Sequence, residues 1–136
     1  KTRREVLQIY NQIDISLDTF PFQGNTCTIE SVWMGVPVLI LKGNRYVFHF
    51  GESINTNLNM QEWIAKDEKN YVDKAIKFSN NIKQLSIIRK NLRGRALQSP
   101  VCDSKGFGDD FSKMLWDRWQ KFDHTSFENI ALQKKP

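Results

Sequence analysis

The densest run of residues able to do chemistry is Gly24-Asn25-Thr26-Cys27-Thr28-Ile29-Glu30. Gly24 lets a backbone come close to a ligand. Thr26 and Thr28 offer hydroxyl donors, and Glu30, about one helical turn further on, is placed to accept from ribose hydroxyls. If the run opens a helix, its first amides are unpaired and its dipole is positive at that end, which makes a seat for phosphate. A purely structural reading stands beside this one: Asn25 and the threonines cap the helix, and Glu30 favours its first turn. No Walker-type lysine follows, and the spacing is not the G-x-G-x-x-G of dinucleotide binders. Cys27 at a helix start is expected to be somewhat acidic, but a nucleophile needs a paired base, and neither His49 nor His124 is near it in sequence. Asp14 and Asp18 share one face of a strand, and Asp18 is expected to fix the loop that follows.

The elements that must position this turn are readable on both sides of it. Val6, Leu7, Ile9, Tyr10 and Ile13 recur at near-helical spacing. Ile13, Ile15 and Leu17 alternate with polar residues, the pattern of a short strand. Pro21 and Gly24 break it. A helix follows, with Ile29, Val32 and Trp33 on one face and Gly35 just past its end. Pro37-Val38-Leu39-Ile40-Leu41 is a continuous apolar run, expected of a strand buried on both faces of a parallel sheet. Residues 13–41 therefore read as one βαβ unit, with ligands expected beyond the carboxyl end of its first strand. Beyond Gly43 the pattern is helical: short helices over 47–54 and 60–65, longer ones over 68–80 and 81–98, and a last one carrying Phe107, Phe111, Met114, Leu115, Trp119 and Phe122. Trp33, Trp63, Trp116 and Trp119 read as core or interface packing. Residues 123–136 read as a polar tail.

Composition narrows the classes. The 136 residues are 40% apolar, enough for a core and against disorder. No apolar run is long enough for a membrane span. Two cysteines and two histidines argue against a disulfide scaffold and a His-rich metal site. The whole +5 net charge lies after residue 60, densest at Lys83, Arg89, Lys90, Arg93 and Arg95. That cluster reads as a solvated helix face rather than a nucleic-acid motif. The opening Lys1-Thr2-Arg3 shows neither an initiator Met nor a signal sequence, so the chain reads as a piece of a longer protein.

The blocks Asp14-Ile15-Ser16-Leu17-Asp18-Thr19-Phe20-Pro21-Phe22 and Trp33-Met34-Gly35-Val36-Pro37-Val38, with Gly24, Thr26, Thr28 and Glu30 between them, closely resemble the O-linked N-acetylglucosamine transferase family, the SPINDLY-like family 41 glycosyltransferases. Ile64-Ala65-Lys66-Asp67-Glu68, Tyr71-Val72, Ala75-Ile76-Lys77 and Ser99-Pro100-Val101-Cys102-Asp103 continue the match over roughly residues 3–120. The resemblance implies an α/β fold: part of the Rossmann-like C-terminal half of a GT-B enzyme, with a short parallel sheet and several C-terminal helices, over residues 1–122. It implies a UDP-sugar donor, UDP-N-acetylglucosamine, and a protein Ser or Thr acceptor. No cofactor or metal is implied, nor membrane or nucleic-acid binding. The compartment expected is the cytoplasm. By the same resemblance Asn25, Thr26 and Cys27, with Gly24 and Thr28 beside them, hold the diphosphate, Glu30 holds the ribose, and a phosphate-contacting lysine of the family falls at or near Arg3. The catalytic base and acceptor site are expected upstream, in a half that carries tetratricopeptide repeats. Departures from the family pattern fall at Asn25, Cys27, Val6 and His49. Missing early strands would leave a sheet edge open to pairing between copies. The alternatives are a GT-B nucleotide module without turnover and a structural or interaction domain.

Overall fold

A computed structural model of the chain describes residues 2–132, and the side chains of residues 2–122. His124 and the side chains of the expected tail over 123–136 lie outside the described ones. The chain divides into two compact units between Cys102 and Asp103, whereas the sequence reading drew its boundary after residue 122.

The first unit is built on a parallel sheet of three strands, β1 (Ser16–Leu17), β2 (Val38–Leu41) and β3 (Ile64–Ala65), in the order β1-β2-β3. Ser16 lies opposite Val38 and Leu17 opposite Leu39; Ile40 lies opposite Ile64 and Leu41 opposite Ala65. The expected βαβ unit is present, with α2 (Thr26–Trp33) as its crossover. Val38, Leu39 and Ile40 are buried, as a strand covered on both faces requires. Two expectations are corrected. Residues 60–65 are not a helix: a 3-10 turn, Gln61–Trp63, leads into β3. In α2 the buried residues are Thr28, Ser31 and Val32, while Ile29 and Trp33 are exposed.

The remaining helices are α1 (Arg3–Ile9), α3 (Phe50–Asn57), α4 (Glu68–Ser79) and α5 (Ile82–Leu97). α1 opens with a capping box, in which Thr2 and Glu5 satisfy each other's backbone amides. α4 and α5 are capped by Asp67 and Asn81, whose side chains accept from the amides of Asn70 and Gln84. The core gathers Leu39, Ile40, Leu58, Met60, Trp63 and Leu92. Trp63 stacks on Phe78 with ring centroids 4.2 Å apart. Of the four tryptophans expected in packing roles, Trp63 alone is buried.

Two arginines of α5 explain much of the basic cluster. Arg89 donates to the carbonyls of Ile13 (2.6 Å) and Tyr10 (2.8 Å), bracing the entry to β1. Arg93 donates to the Trp33 carbonyl (2.6 Å) and lies over the Trp33 ring, so its charge sits at the C-terminal end of α2. The chain leaves α2 through Gly35 at φ +83°, where a Cβ would stand 2.7 Å from the Arg89 carbonyl oxygen.

The second unit holds α6 (Ser104–Leu132), whose start is fixed by the Asp103 carboxylate accepting from the Gly106 amide at 2.9 Å. Phe107, Phe111, Met114, Leu115, Trp116, Trp119 and Phe122 are all exposed on it. Among the described residues no helix is long and apolar enough to cross a membrane.

The glycines give a paired stability test. Gly35→Ala combines a left-handed backbone with a clash against the Arg89 carbonyl, and is expected to cost about 2 kcal/mol or more. Gly94→Ala, inside α5 with nothing within 4 Å of the new methyl, is expected to gain about 0.5–1 kcal/mol. Urea denaturation of the chain checks both: the midpoints should move in opposite directions at unchanged slope.

Candidate functional site

The carboxyl end of β1 and the start of α2 face one cleft of about 520 Å³, lined by Tyr10, Ser16, Asp18, Thr19, Phe22 and Gly24 through Thr28 among others. The strand sets its floor. The Ser16 amide donates to the Pro37 carbonyl (2.9 Å) and the Asp18 amide to the Leu39 carbonyl (3.0 Å), so the chain leaves the sheet at Asp18. The Phe20–Pro21 peptide in the loop that follows is cis.

Asp18 does hold that loop. Its carboxylate oxygens accept from the Gly24 amide at 2.9 and 3.2 Å. Its own carbonyl accepts from the Tyr71 hydroxyl at 2.9 Å, which ties α4 to the same point. Desolvation raises the Asp18 carboxyl above its usual range against the pull of the Gly24 and Thr19 amides. Desolvation and the nearby Asp18 charge push Tyr71 up to about 12.

Asn25 occupies the capping position of α2 but makes no side-chain cap bond, which corrects the capping expectation. Its backbone sits at φ −109°, ψ −77° rather than in the extended region that aims a capping oxygen at the helix amides. The amides of Thr26, Cys27 and Thr28 thus start a helix without a side-chain acceptor from Asn25. Thr28 is buried, and its hydroxyl donates to the Gly24 carbonyl at 2.8 Å. Thr26 and Cys27 are exposed, and the Cys27 thiol is free. Gly24 is matched to this packing: a Cβ there would lie 3.0 Å from the Thr28 hydroxyl oxygen.

Glu30 lies one turn along α2 and pairs with Arg3 at 3.3 Å, bringing together two predicted site residues from either side of the sheet's first strand. Arg3 is largely exposed. Tyr10 stands nearby, its hydroxyl 3.4 Å from the Cys27 carbonyl; desolvation, then Cys27 and Glu30, raise its pKa. Of the seven predicted site residues, Gly24, Asn25, Thr26, Cys27 and Thr28 line the cleft, whereas Arg3 and Glu30 pair with each other and are not among its lining residues. His49 pairs instead with Glu52 at 2.7 Å, and Lys42 reaches the same carboxylate at 2.7 Å. Partial burial alone would raise Glu52, but hydrogen bonds and charge from Lys42 and His49 outweigh it and hold the carboxyl below its usual range. Among the described residues no cluster of His, Cys, Asp and Glu could hold a metal.

Sequence reasoning missed Gln23. It is 2% exposed. Its amide nitrogen donates to the Leu41 carbonyl (2.7 Å), and its oxygen accepts from the amides of Gly51 (2.9 Å) and Glu52 (3.4 Å). A polar residue before a glycine reads as a solvated turn, and no local pattern marks it as buried.

Among the described residues, the two perturbed carboxylates, Asp18 and Glu52, give opposite pH slopes. The folded chain holds the Asp18 proton more tightly than the unfolded chain. Its stabilising contribution is full below the usual 3.8 and is lost as pH rises through the raised value. Glu52 contributes above its usual 4.5 and loses that contribution as pH falls through the lowered value. A carbon-13 NMR titration of both carboxyls is expected to place their midpoints on opposite sides of these references.

Comparison with known proteins meets this geometry. The sequence model of glycosyl transferase family 41 matches residues 2–111. The probable UDP-N-acetylglucosamine–peptide N-acetylglucosaminyltransferase SPINDLY of Eustoma exaltatum subsp. russellianum is 34% identical over 95% of this chain and 14% of its own length. Its counterpart from Hordeum vulgare is 35% identical over 85% of this chain and 12% of its own. A solved structure of a mutant Thermobaculum terrenum O-GlcNAc transferase superposes with a TM-score of 0.84 at 28% identity, covering 93% of this chain and 24% of that one. The chain thus spans a small part of each relative. The α/β unit agrees with the partial Rossmann-like expectation.

Proposed function

The chain belongs to glycosyl transferase family 41, and from that premise we propose that it is the donor-binding segment of a protein that transfers N-acetylglucosamine from UDP-N-acetylglucosamine to protein Ser or Thr hydroxyls. The observation that carries this reading is the cleft at the carboxyl end of β1, lined by the first residues of α2, a helix with no side-chain cap bond from Asn25. The amides of Asn25, Thr26, Cys27 and Thr28 take the diphosphate, with Gly24 allowing close approach. Glu30 accepts from the ribose, and Arg3, now paired with it, exchanges that partner for a phosphate.

During transfer the bond from the sugar's anomeric carbon to the β-phosphate oxygen breaks, and negative charge grows on that phosphate. Donors fixed in place beforehand stabilise this charge without reorganising, and the positive end of α2 adds to them. The amides and Arg3 meet the charge on the departing phosphate, so the segment serves the leaving group. The acceptor's proton is taken by a base in the upstream half, which also brings the tetratricopeptide repeats and the acceptor site. No cofactor other than the donor takes part. The two free, exposed thiols, Cys27 and Cys102, support a reducing compartment such as the cytoplasm. The outer edge of β1, where Leu17 is 53% exposed, is where upstream strands or a second copy would pair.

An amide NMR titration of this chain with UDP, with GDP and ADP as control bases, tests the reading. With half of the cleft's walls absent, a dissociation constant of millimolar order is expected, about −4 kcal/mol. Shifts should concentrate in residues 24–30, be largest for UDP, and weaken about tenfold in Glu30→Ala. Preference for another base would overturn the uridine part. Silence both here and in the intact protein would overturn the donor site itself. Binding by the intact protein without donor hydrolysis would mark a nucleotide module that has lost turnover.

A further inference from the structure

We propose that Gln23 is a positioning residue for the donor's phosphates: its side chain caps the distant helix α3 and thereby fixes Gly24 and the first turn of α2. The proposal rests on the donor-site reading above and extends it to a residue that touches no ligand.

The turn before α2 has little else to hold it. Phe20 and Phe22 are exposed, each touching one neighbouring ring, Tyr71 and Phe50 respectively. Asp18 holds the Gly24 amide and Thr28 holds the Gly24 carbonyl, but both bonds lie within the turn or its own helix. Gln23 alone in this turn reaches across to other elements through a buried side chain. Its donor meets the Leu41 carbonyl at the end of β2, and its acceptor meets the second and third amides of α3. The residue at the head of α3, His49, makes no side-chain cap bond. Gln23 is therefore the N-terminal cap of α3, supplied from 28 positions away. Gly51 packs against the Ile40 side chain of β2, so the capped end of α3 is itself seated on the sheet. Loss of this side chain would leave buried donors and an acceptor without partners and free the turn to shift. A shift of about 1 Å is enough to misplace helix amides relative to a phosphate.

The glutamine's chemistry supplies a test that simple damage to the fold would not mimic. In Gln23→Glu, the protonated acid can still donate to Leu41 and accept from Gly51. The ionised acid has no donor and sets a negative charge against the Leu41 carbonyl. Asp18 lies beside Gly51, and Glu52 carries Lys42 and His49 as its ionic partners. The His49 imidazole pairs with Glu52 beside this position, so the comparison is repeated in a His49→Gln background.

The experiment measures UDP dissociation constants of the intact protein by calorimetry, for wild type, Gln23→Glu and Gln23→Met, from about pH 5 to about pH 8. Gln23→Met is expected to bind about tenfold more weakly at every pH. Gln23→Glu is expected to bind about tenfold more weakly at the alkaline end and within about twofold of wild type at the acid end, with or without His49. A ratio of Gln23→Glu to wild type that stays flat with pH overturns the proposal, as does wild-type affinity in Gln23→Met. A wild-type protein that binds none of UDP, GDP and ADP overturns the donor site and this inference with it. Normal wild-type binding with unaffected variants overturns this inference alone.

Discussion

Asp18 has its amide on the Leu39 carbonyl, its carbonyl under the Tyr71 hydroxyl, and both carboxylate oxygens turned to the Gly24 amide. Every polar group of the residue is engaged, and each contact reaches a different part of the chain: β2, α4 and the turn before α2. β1 has only two residues, so its pairing with β2 supplies little registry of its own. What keeps the cleft open at the end of so short a strand is this half-buried carboxylate and the three partners it brings to one point. Its raised pKa is the electrostatic trace of that burial: the amides that favour the anion do not fully offset the lost water.

Around this point the unit is braced by long polar side chains that end on backbone atoms. Arg89 holds the approach to β1, Arg93 closes the far end of α2, and Gln23 joins the turn to α3. The apolar core of Leu39, Ile40, Leu58, Trp63 and Leu92 fixes the sheet and its helices. The polar braces then set where loops leave it. This division of labour suits the proposed use of helix amides as donors, because amides have no rotamers to adjust and must be aimed by the whole backbone.

Much of this was legible in residue patterns, for physical reasons that can be named. Alternation at Ile13, Ile15 and Leu17 and the continuous run from Pro37 to Leu41 report local burial, so the βαβ unit could be read directly. The role of Asp18 followed from a carboxylate just before a turn. The third strand was hidden because it is two residues long and follows a 3-10 turn, leaving Trp63-Ile64-Ala65 to look like a helical face. Its strand character comes only from pairing with Ile40 and Leu41, a long-range contact that local periodicity does not carry. The capping reading of Asn25 failed for a related reason. Residue type matched the cap, but the backbone angles set by the loop did not. Gln23, Arg89 and Arg93 were polar residues whose partners lie 18 to 79 positions away, and nothing nearby in sequence announces such bonds.

Those same spans bear on how the protein is made. The bond from Arg89 to the Tyr10 carbonyl closes a loop of 79 positions, and that from Tyr71 to Asp18 a loop of 53. Loops of that size are slow to close and gain nothing until both ends exist. On the ribosome, the segment that lines the cleft emerges early but cannot settle until α4 and α5 have followed it out. A nascent chain stopped before Arg89 would present the entry to β1 without the bonds that Arg89 makes to the Ile13 and Tyr10 carbonyls. The stretch between the turn and α5 is therefore an interval during synthesis in which the cleft is visible to chaperones and proteases before its long-range bonds have closed.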